Sequence, residues 1–82
     1  MAEQDHDMKS SKDIATELLA QALSVTSAEI SASTALGVTA QWDSLAHMRL
    51  VLALEAHLGK KLGPTEIVGL SCFVDVEALV GA

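Results

Sequence analysis

The chain is 82 residues long, half of them hydrophobic, with two aromatic residues, one cysteine and a formal net charge of −6. A chain of this length forms one small domain, the single cysteine excludes an intramolecular disulfide, and the acidic balance argues against a nucleic-acid-binding protein, which carries a basic stripe. The aliphatic composition favours packed helices over a sheet, because strands are enriched in aromatic and β-branched side chains.

The N-terminal segment and the most apolar stretch bear on the location of the protein. Residues 1–9 are polar and acidic, without the apolar segment of a secretory signal. The stretch 45–58 is interrupted by histidine and charged side chains and is shorter than the roughly 20 apolar residues that span a bilayer. We therefore expect a cytoplasmic protein without membrane insertion. We also expect a monomer, with a disordered tail over residues 1–9 and one folded domain over residues 10–82.

The first predicted helix covers about residues 11–24. Apolar side chains recur at helical spacing through this segment, and it opens with the Ser10 hydroxyl followed three residues later by Asp13. Residues 26–41 form the longest irregular stretch, rich in serine, threonine and alanine, and Gly37 indicates a turn with a positive φ. A loop of this length in a small domain is often functional.

The second predicted helix covers about residues 44–58 and ends at Gly59, a common C-cap residue. Its apolar side chains form two rows on different faces. The first row comprises Leu50, Leu54 and Leu58, joined by Val51, and the second comprises Leu45, Met48 and Leu52. Because only one row can face the core, the second row predicts an exposed partner surface.

Two further helices complete the predicted fold. Pro64 opens a short helical segment, and Ser71 is a candidate cap for a last helix over about residues 72–80. The inward stripe of that last helix comprises Phe73, Val76, Leu79 and Val80. The sequence therefore predicts an all-α fold, a small four-helix bundle with three longer helices, one short helix and a long loop between the first two.

The start of the second helix carries the candidate functional residues. Asp43 is a suitable N-cap, since its carboxylate can accept hydrogen bonds from the first turn, and Ser44 falls at the first helical position. A phosphate on the Ser44 hydroxyl would be stabilised by the helix dipole and by free backbone N–H groups. The sequence offers no evident base to activate this serine, so the pattern indicates attachment of a phosphate-linked group rather than catalysis.

Several features of the chain together resemble the acyl carrier protein family over about residues 11–80. These features are Trp42-Asp43-Ser44-Leu45 at a helix start, the preceding Leu36-Gly37, the run 50–55, the Leu58-Gly59 ending and a short last helix containing Asp75. The resemblance implies that a phosphopantetheinyl transferase attaches 4′-phosphopantetheine from coenzyme A to Ser44, and that Asp43 supports the attachment through magnesium and phosphate. It also implies that the thiol of this arm carries an acyl or aminoacyl group as a thioester, while partner enzymes supply the catalysis.

The resemblance further implies that partner enzymes meet the second helix. In this chain that surface comprises Leu45, Met48, Arg49, Leu52, Glu55 and Ala56. Many family members present an acidic second helix, whereas this one offers Arg49, two nearby histidines and only Glu55 as an acid. Because long-range steering depends on complementary charge, we expect a dedicated acyl-loading ligase or synthase rather than the general enzymes of fatty-acid biosynthesis.

Alternative functions are open at this stage. The cargo is a fatty or polyketide acyl chain, which would place the protein in lipid metabolism, or it is an amino acid. Gln41-Trp42 stands where the peptide carriers often have Gly-Gly, which favours acyl cargo. A different class of protein is an unmodified helical adaptor, which would bind a partner helix through the second apolar row.

Several single side chains have a structural and a functional interpretation. Trp42 is expected to pack on its own domain rather than on a partner, and His47 to be a half-buried helix residue rather than a neighbour of the phosphate. Cys72 is expected to be a small core residue, and the histidines show no metal-ligand spacing. Either an acyl-binding cavity or a filled core is compatible with Leu50, Leu54, Leu58, Val68, Phe73 and Val76.

Overall fold

Four α-helices and their connections make up residues 10–81, which are the residues that the computed structural model describes. The helices are α1 (Ser11–Leu23), α2 (Ser44–Leu58), α3 (Pro64–Gly69) and α4 (Phe73–Gly81), with a short 3₁₀ turn at Ser27–Glu29. The described residues contain no strand, so the prediction of a small all-α fold with three longer helices and one short helix is confirmed. The disordered tail expected over residues 1–9 lies outside the described residues.

Two serines set the ends of α1. The Ser10 hydroxyl oxygen accepts a hydrogen bond from the Asp13 N–H at 3.1 Å, as an N-cap does. Ser24 takes the left-handed conformation with φ 58°, and the helix ends at Leu23, one residue earlier than the spacing predicts. A left-handed residue turns the chain away from the helix axis, so α1 cannot continue past it.

Helix α2 spans the residues that the sequence predicts, and both of its caps are confirmed. Asp43 Oδ1 accepts a hydrogen bond from the Ala46 N–H at 2.9 Å. At the other end, Gly59 adopts φ 72° and its N–H donates to the Glu55 carbonyl. The buried face of α2 comprises Ala46, Leu50, Val51 and Leu54. Because α1 packs against both α2 and α4, these side chains and Trp42 join one core cluster.

The long loop between α1 and α2 is fastened to the connection between α3 and α4. The Leu36 N–H donates to the Ser71 carbonyl at 2.8 Å, and the Phe73 N–H donates to the Thr34 carbonyl at 2.9 Å. These bonds flank an isolated antiparallel bridge between residues 35 and 72. Gly37 then adopts φ 82° as predicted, a conformation that a side chain would strain. The pairing ties the segment that leads into α2 to the residues just before α4.

The start of α4 differs from the prediction. Ser71 does not cap the helix by accepting a hydrogen bond; its N–H and its hydroxyl both donate to Asp75 Oδ2 at 3.0 Å. The Cys72 thiol adds a third contact, with Sγ 3.4 Å from the same oxygen, and α4 begins at Phe73, one residue later than predicted. These donors stabilise the ionised carboxylate, the Ser71 N–H most of all, so the pKa of Asp75 is lowered from its ordinary value.

We expect Asp75→Asn to lower the free energy of unfolding by about 1 kcal/mol at pH 7. Because the folded-state pKa of Asp75 lies below its unfolded value, this contribution is present above the unfolded pKa and is lost as the pH falls through the folded pKa. Urea unfolding of the wild type and of Asp75→Asn should therefore show a difference in the free energy of unfolding at pH 7 that disappears in acid. Glu77→Gln, on the same helix, is the control and should change little at either pH. A difference in unfolding free energy between the wild type and Asp75→Asn that does not change with pH would contradict this account.

Candidate attachment site at the start of α2

The junction between the long loop and α2 presents Ser44 to solvent. Asp43 is extended, with φ −101° and ψ −172°, and caps the helix through its side chain, while its carbonyl accepts the His47 N–H at 2.9 Å. Ser44 is the first helical residue and is exposed. Within residues 10–81, the N–H groups of Ser44 and Leu45 have no hydrogen-bond acceptor. An anion held at the Ser44 hydroxyl would therefore meet free N–H groups and the positive end of the helix dipole.

A hydrogen-bonded bridge beneath this junction joins the loop, α2 and α3. The Trp42 side chain is 1% exposed, and its Nε1–H donates to His47 Nδ1 at 3.0 Å. An indole can only donate, so Nδ1 carries no proton and the His47 Nε2–H donates to the Ile67 carbonyl at 3.1 Å. Trp42 thus packs within its own domain and His47 is half-buried, as the sequence predicts. The bridge that they form with α3 is not evident in the sequence.

The same bridge determines what the site can do chemically. His47 lies one helical turn after Ser44, but both of its ring nitrogens are engaged in hydrogen bonds. A general base needs a free lone pair within reach of the proton that it takes, and the neutral His47 ring has none. Asp43 Oδ1 accepts the Ala46 N–H as the helix cap, and no hydrogen bond within residues 10–81 joins the Asp43 carboxylate to the Ser44 hydroxyl. The arrangement therefore fixes the backbone at Ser44 and leaves its exposed hydroxyl without a base.

The second apolar row of α2 is exposed, as the sequence predicts. Leu45, Met48 and Leu52 are 61%, 53% and 61% exposed, and Ala56 continues the row as a fourth exposed residue. Because successive residues advance by about 100° around a helix axis, these four side chains lie opposite the buried face of α2. We refer to Leu45, Met48, Leu52 and Ala56 as the outer stripe.

The two charged residues expected on the partner surface have different environments. Arg49 is exposed beside the outer stripe, and its side chain has no hydrogen bond or ion pair within the described part of the chain. Glu55 is half-buried: Oε2 accepts the Leu62 N–H at 2.9 Å, and Oε1 lies 3.8 Å from Lys61 Nζ. The Glu55 carboxylate therefore holds the segment that follows α2 and is less available to a partner than the sequence suggests.

Two side chains lie elsewhere than the sequence predicts. Val68 is 82% exposed rather than part of the core, because Ile67 of the six-residue α3 and Leu70, its C-cap, turn inward instead. Cys72 is half-buried rather than a core residue, since its thiol contacts the Asp75 carboxylate. The other candidates for an acyl-binding cavity belong to the core or pack against it, namely Leu50, Leu54, Leu58, Phe73 and Val76.

Two wider observations concern metal ions and membranes. Residues 10–81 contain no group of three or more histidine, cysteine, aspartate or glutamate side chains placed to hold a metal ion. His57 is exposed in the last turn of α2, and His6 lies outside the described residues. Among the described helices, none has the length and apolar character that a membrane span requires.

Comparisons with known proteins do not assign the chain to a family. The chain matches no protein-family model, no curated protein and no solved structure. An assignment of function therefore depends on the motif and geometry at the start of α2.

Proposed function

We propose that this protein is a carrier whose Ser44 is loaded with a 4′-phosphopantetheine arm, and that it belongs to the acyl carrier type. The observation that carries the proposal is the exposed Ser44 hydroxyl at the first position of a 15-residue helix, behind the Asp43 cap. The sequence resemblance over residues 11–80 supports the same assignment. The thiol of the bound arm would carry the cargo as a thioester.

The residues around Ser44 suit a phosphodiester. The free N–H groups of Ser44 and Leu45 point toward the start of the helix, where the dipole favours negative charge. Asp43 is close enough to cap the first turn, and its exposed carboxylate can support magnesium and phosphate while the arm is being attached. Exposure of the hydroxyl leaves the attached arm free to reach partner enzymes.

The attachment requires a separate enzyme. A phosphopantetheinyl transferase would deprotonate the Ser44 hydroxyl, so that Oγ bonds to the pantetheine-side phosphorus of coenzyme A. The pyrophosphate bond breaks there, and adenosine 3′,5′-bisphosphate leaves. The hydrogen bonds at both ring nitrogens of His47 are consistent with this scheme, in which the chain supplies an exposed hydroxyl and the transferase supplies the base.

Within the carrier class, we favour acyl cargo loaded by a dedicated ligase or synthase. The residue pair before Asp43-Ser44 supports this choice. Peptide carriers often have two glycines there, whereas this chain has Gln41 and the buried Trp42, whose indole donates a hydrogen bond to His47. An aminoacyl carrier is the alternative within the class. The exposed outer stripe also suits an unmodified adaptor that binds a partner helix, and we keep this second candidate for that reason. We propose a monomer that acts in the cytoplasm.

The proposal is tested by the intact mass of the folded protein after incubation with coenzyme A, magnesium and a broad-specificity phosphopantetheinyl transferase. We expect the mass to rise by one phosphopantetheinyl group. Circular dichroism before the incubation establishes that the sample is helical. An unchanged mass in the folded protein would contradict the carrier and favour the adaptor.

A further inference from the structure

The outer stripe leads into an open groove at the C-terminal end of α2. The groove has a volume of about 440 Å³ and is lined by Leu52, Glu55, Ala56, Gly59, Lys60 and Lys61. Leu52 and Ala56 give it apolar side chains. Apart from Gly59 and its two chain neighbours, no described residue has an atom within 4 Å of where a Cβ at position 59 would lie. The outer stripe and the groove thus form one surface, which extends from Leu45 to Lys60 and Lys61 after the helix.

The charges along this surface are mainly basic, although the chain as a whole carries −6. Between Asp43 and Lys61 there are three basic side chains and two acidic ones. Both acids have structural roles, since Asp43 caps α2 and Glu55 bonds the segment after it. Arg49, Lys60 and Lys61 are exposed, and we refer to these three residues as the basic rim.

We propose that the outer stripe and the basic rim dock a partner protein that offers an apolar ridge flanked by aspartate or glutamate side chains. The inference rests on the proposed function in one respect, namely that this partner is the enzyme acting on cargo at Ser44. Apolar contact drives the association, while the flanking charges orient the partner and raise the association rate. Because the remainder of the chain is acidic, an acidic partner is attracted to this face and repelled from the others.

A second copy of the chain fits this surface less well. In a two-fold dimer the same patch meets itself, so two surfaces with the same excess of basic side chains would come together. Like charges brought together across an interface oppose association. A partner with acidic flanks instead gains from Arg49 and Lys60, which have no ion pair within residues 10–81, and to a smaller extent from Lys61, which lies 3.8 Å from Glu55.

The test titrates two amphipathic helical peptides into isotope-labelled protein carrying Ser44→Ala. Both peptides have the same leucine face; one is flanked by glutamates and the other by lysines. Backbone amide shifts locate the binding, and the shifts against concentration give each Kd. Because Ser44→Ala removes the loading site, the outcome is independent of whether the protein can be loaded.

We expect the glutamate peptide to bind about tenfold more tightly than the lysine peptide at low salt, with shifts over residues 45–61. Added salt should reduce this preference, because it screens exposed charges. Arg49→Glu should remove most of the preference. Lys12→Glu, an exposed reversal on α1 with the same change in net charge, should leave it intact.

Three results would overturn the proposal. Equal binding of the two peptides, or tighter binding of the lysine peptide, would show that the net charge of −6 outweighs the basic rim. Shifts centred on α3 or α4 would place the docking surface elsewhere. Self-association through the outer stripe in the absence of peptide would identify a second copy as the occupant.

Discussion

Trp42→Ala should lower the free energy of unfolding by about 3–5 kcal/mol. Trp42 is 1% exposed and belongs to the core cluster of the described residues, so the substitution leaves a large cavity that the surrounding structure fills only in part. It also removes the hydrogen bond to His47 Nδ1. Since small domains are stable by only about 5–15 kcal/mol, urea denaturation should show a protein that is close to unfolding in water.

Trp42→Phe separates packing from the hydrogen bond. Phenylalanine fills most of the space but donates nothing, so His47 Nδ1 loses its partner at a cost of about 1–2 kcal/mol. Val68→Ala is the control, because Val68 is 82% exposed and its truncation should stay within about 0.5 kcal/mol. A Trp42→Phe protein as stable as the wild type would show that the bridge contributes nothing measurable.

Ser44→Ala should abolish phosphopantetheine loading completely. No other residue can replace an attachment oxygen at that position, whereas the fold should persist because Ser44 is exposed and alanine is the best helix former. The intact mass after transferase treatment measures loading. We expect urea denaturation to place the stability of the variant within about 0.5 kcal/mol of the wild type.

Ser27→Ala is the matched control for that substitution. Ser27 is exposed and, like Ser44, is the first residue of a helical segment behind a capping residue, Thr26. It should load at the wild-type rate. A Ser44→Ala protein that still gains the arm, or a Ser27→Ala protein that fails to gain it, would contradict the assignment of Ser44.

Helix α2 and its site could be predicted because the signals are local. Asp43 and Gly59 are capping residues within one turn of the groups that they satisfy, so they mark both ends of the helix in the sequence. The two apolar rows follow from helical spacing, and the row with Leu45 and Leu52 is exposed. The position of Ser44 at the helix start follows from the same signals.

The support beneath the site could not be predicted, because it depends on contacts distant in sequence. His47 and Ile67 are 20 residues apart, and the pairing between residues 35 and 72 joins two irregular segments. No periodicity or cap links such positions before the helices are packed. The chemical state of His47 follows only from this packing, because the Trp42 indole determines which ring nitrogen carries the proton.

Two errors in the prediction concern the short helix α3 and the start of α4. Helix α3 has six residues, too few for helical spacing to show which apolar side chain turns inward. Val68 is exposed, while Ile67 packs against the core and Leu70, directly after the helix, is buried. At the start of α4, the Asp75 carboxylate accepts hydrogen bonds from the N–H and hydroxyl of Ser71 and from the Cys72 thiol. A hydroxyl before a helix can either accept or donate a hydrogen bond. The Ser71 hydroxyl donates, because the nearby Asp75 carboxylate is an acceptor.

The central claim is that the hydroxyl of Ser44 carries the arm. The most direct measurement is to load the wild-type protein with coenzyme A and a phosphopantetheinyl transferase, and then to fragment the product by tandem mass spectrometry. We predict a single phosphopantetheinyl group, located on Ser44 and on no other residue. A folded protein that gains no group, or a group located on another serine, would contradict the account.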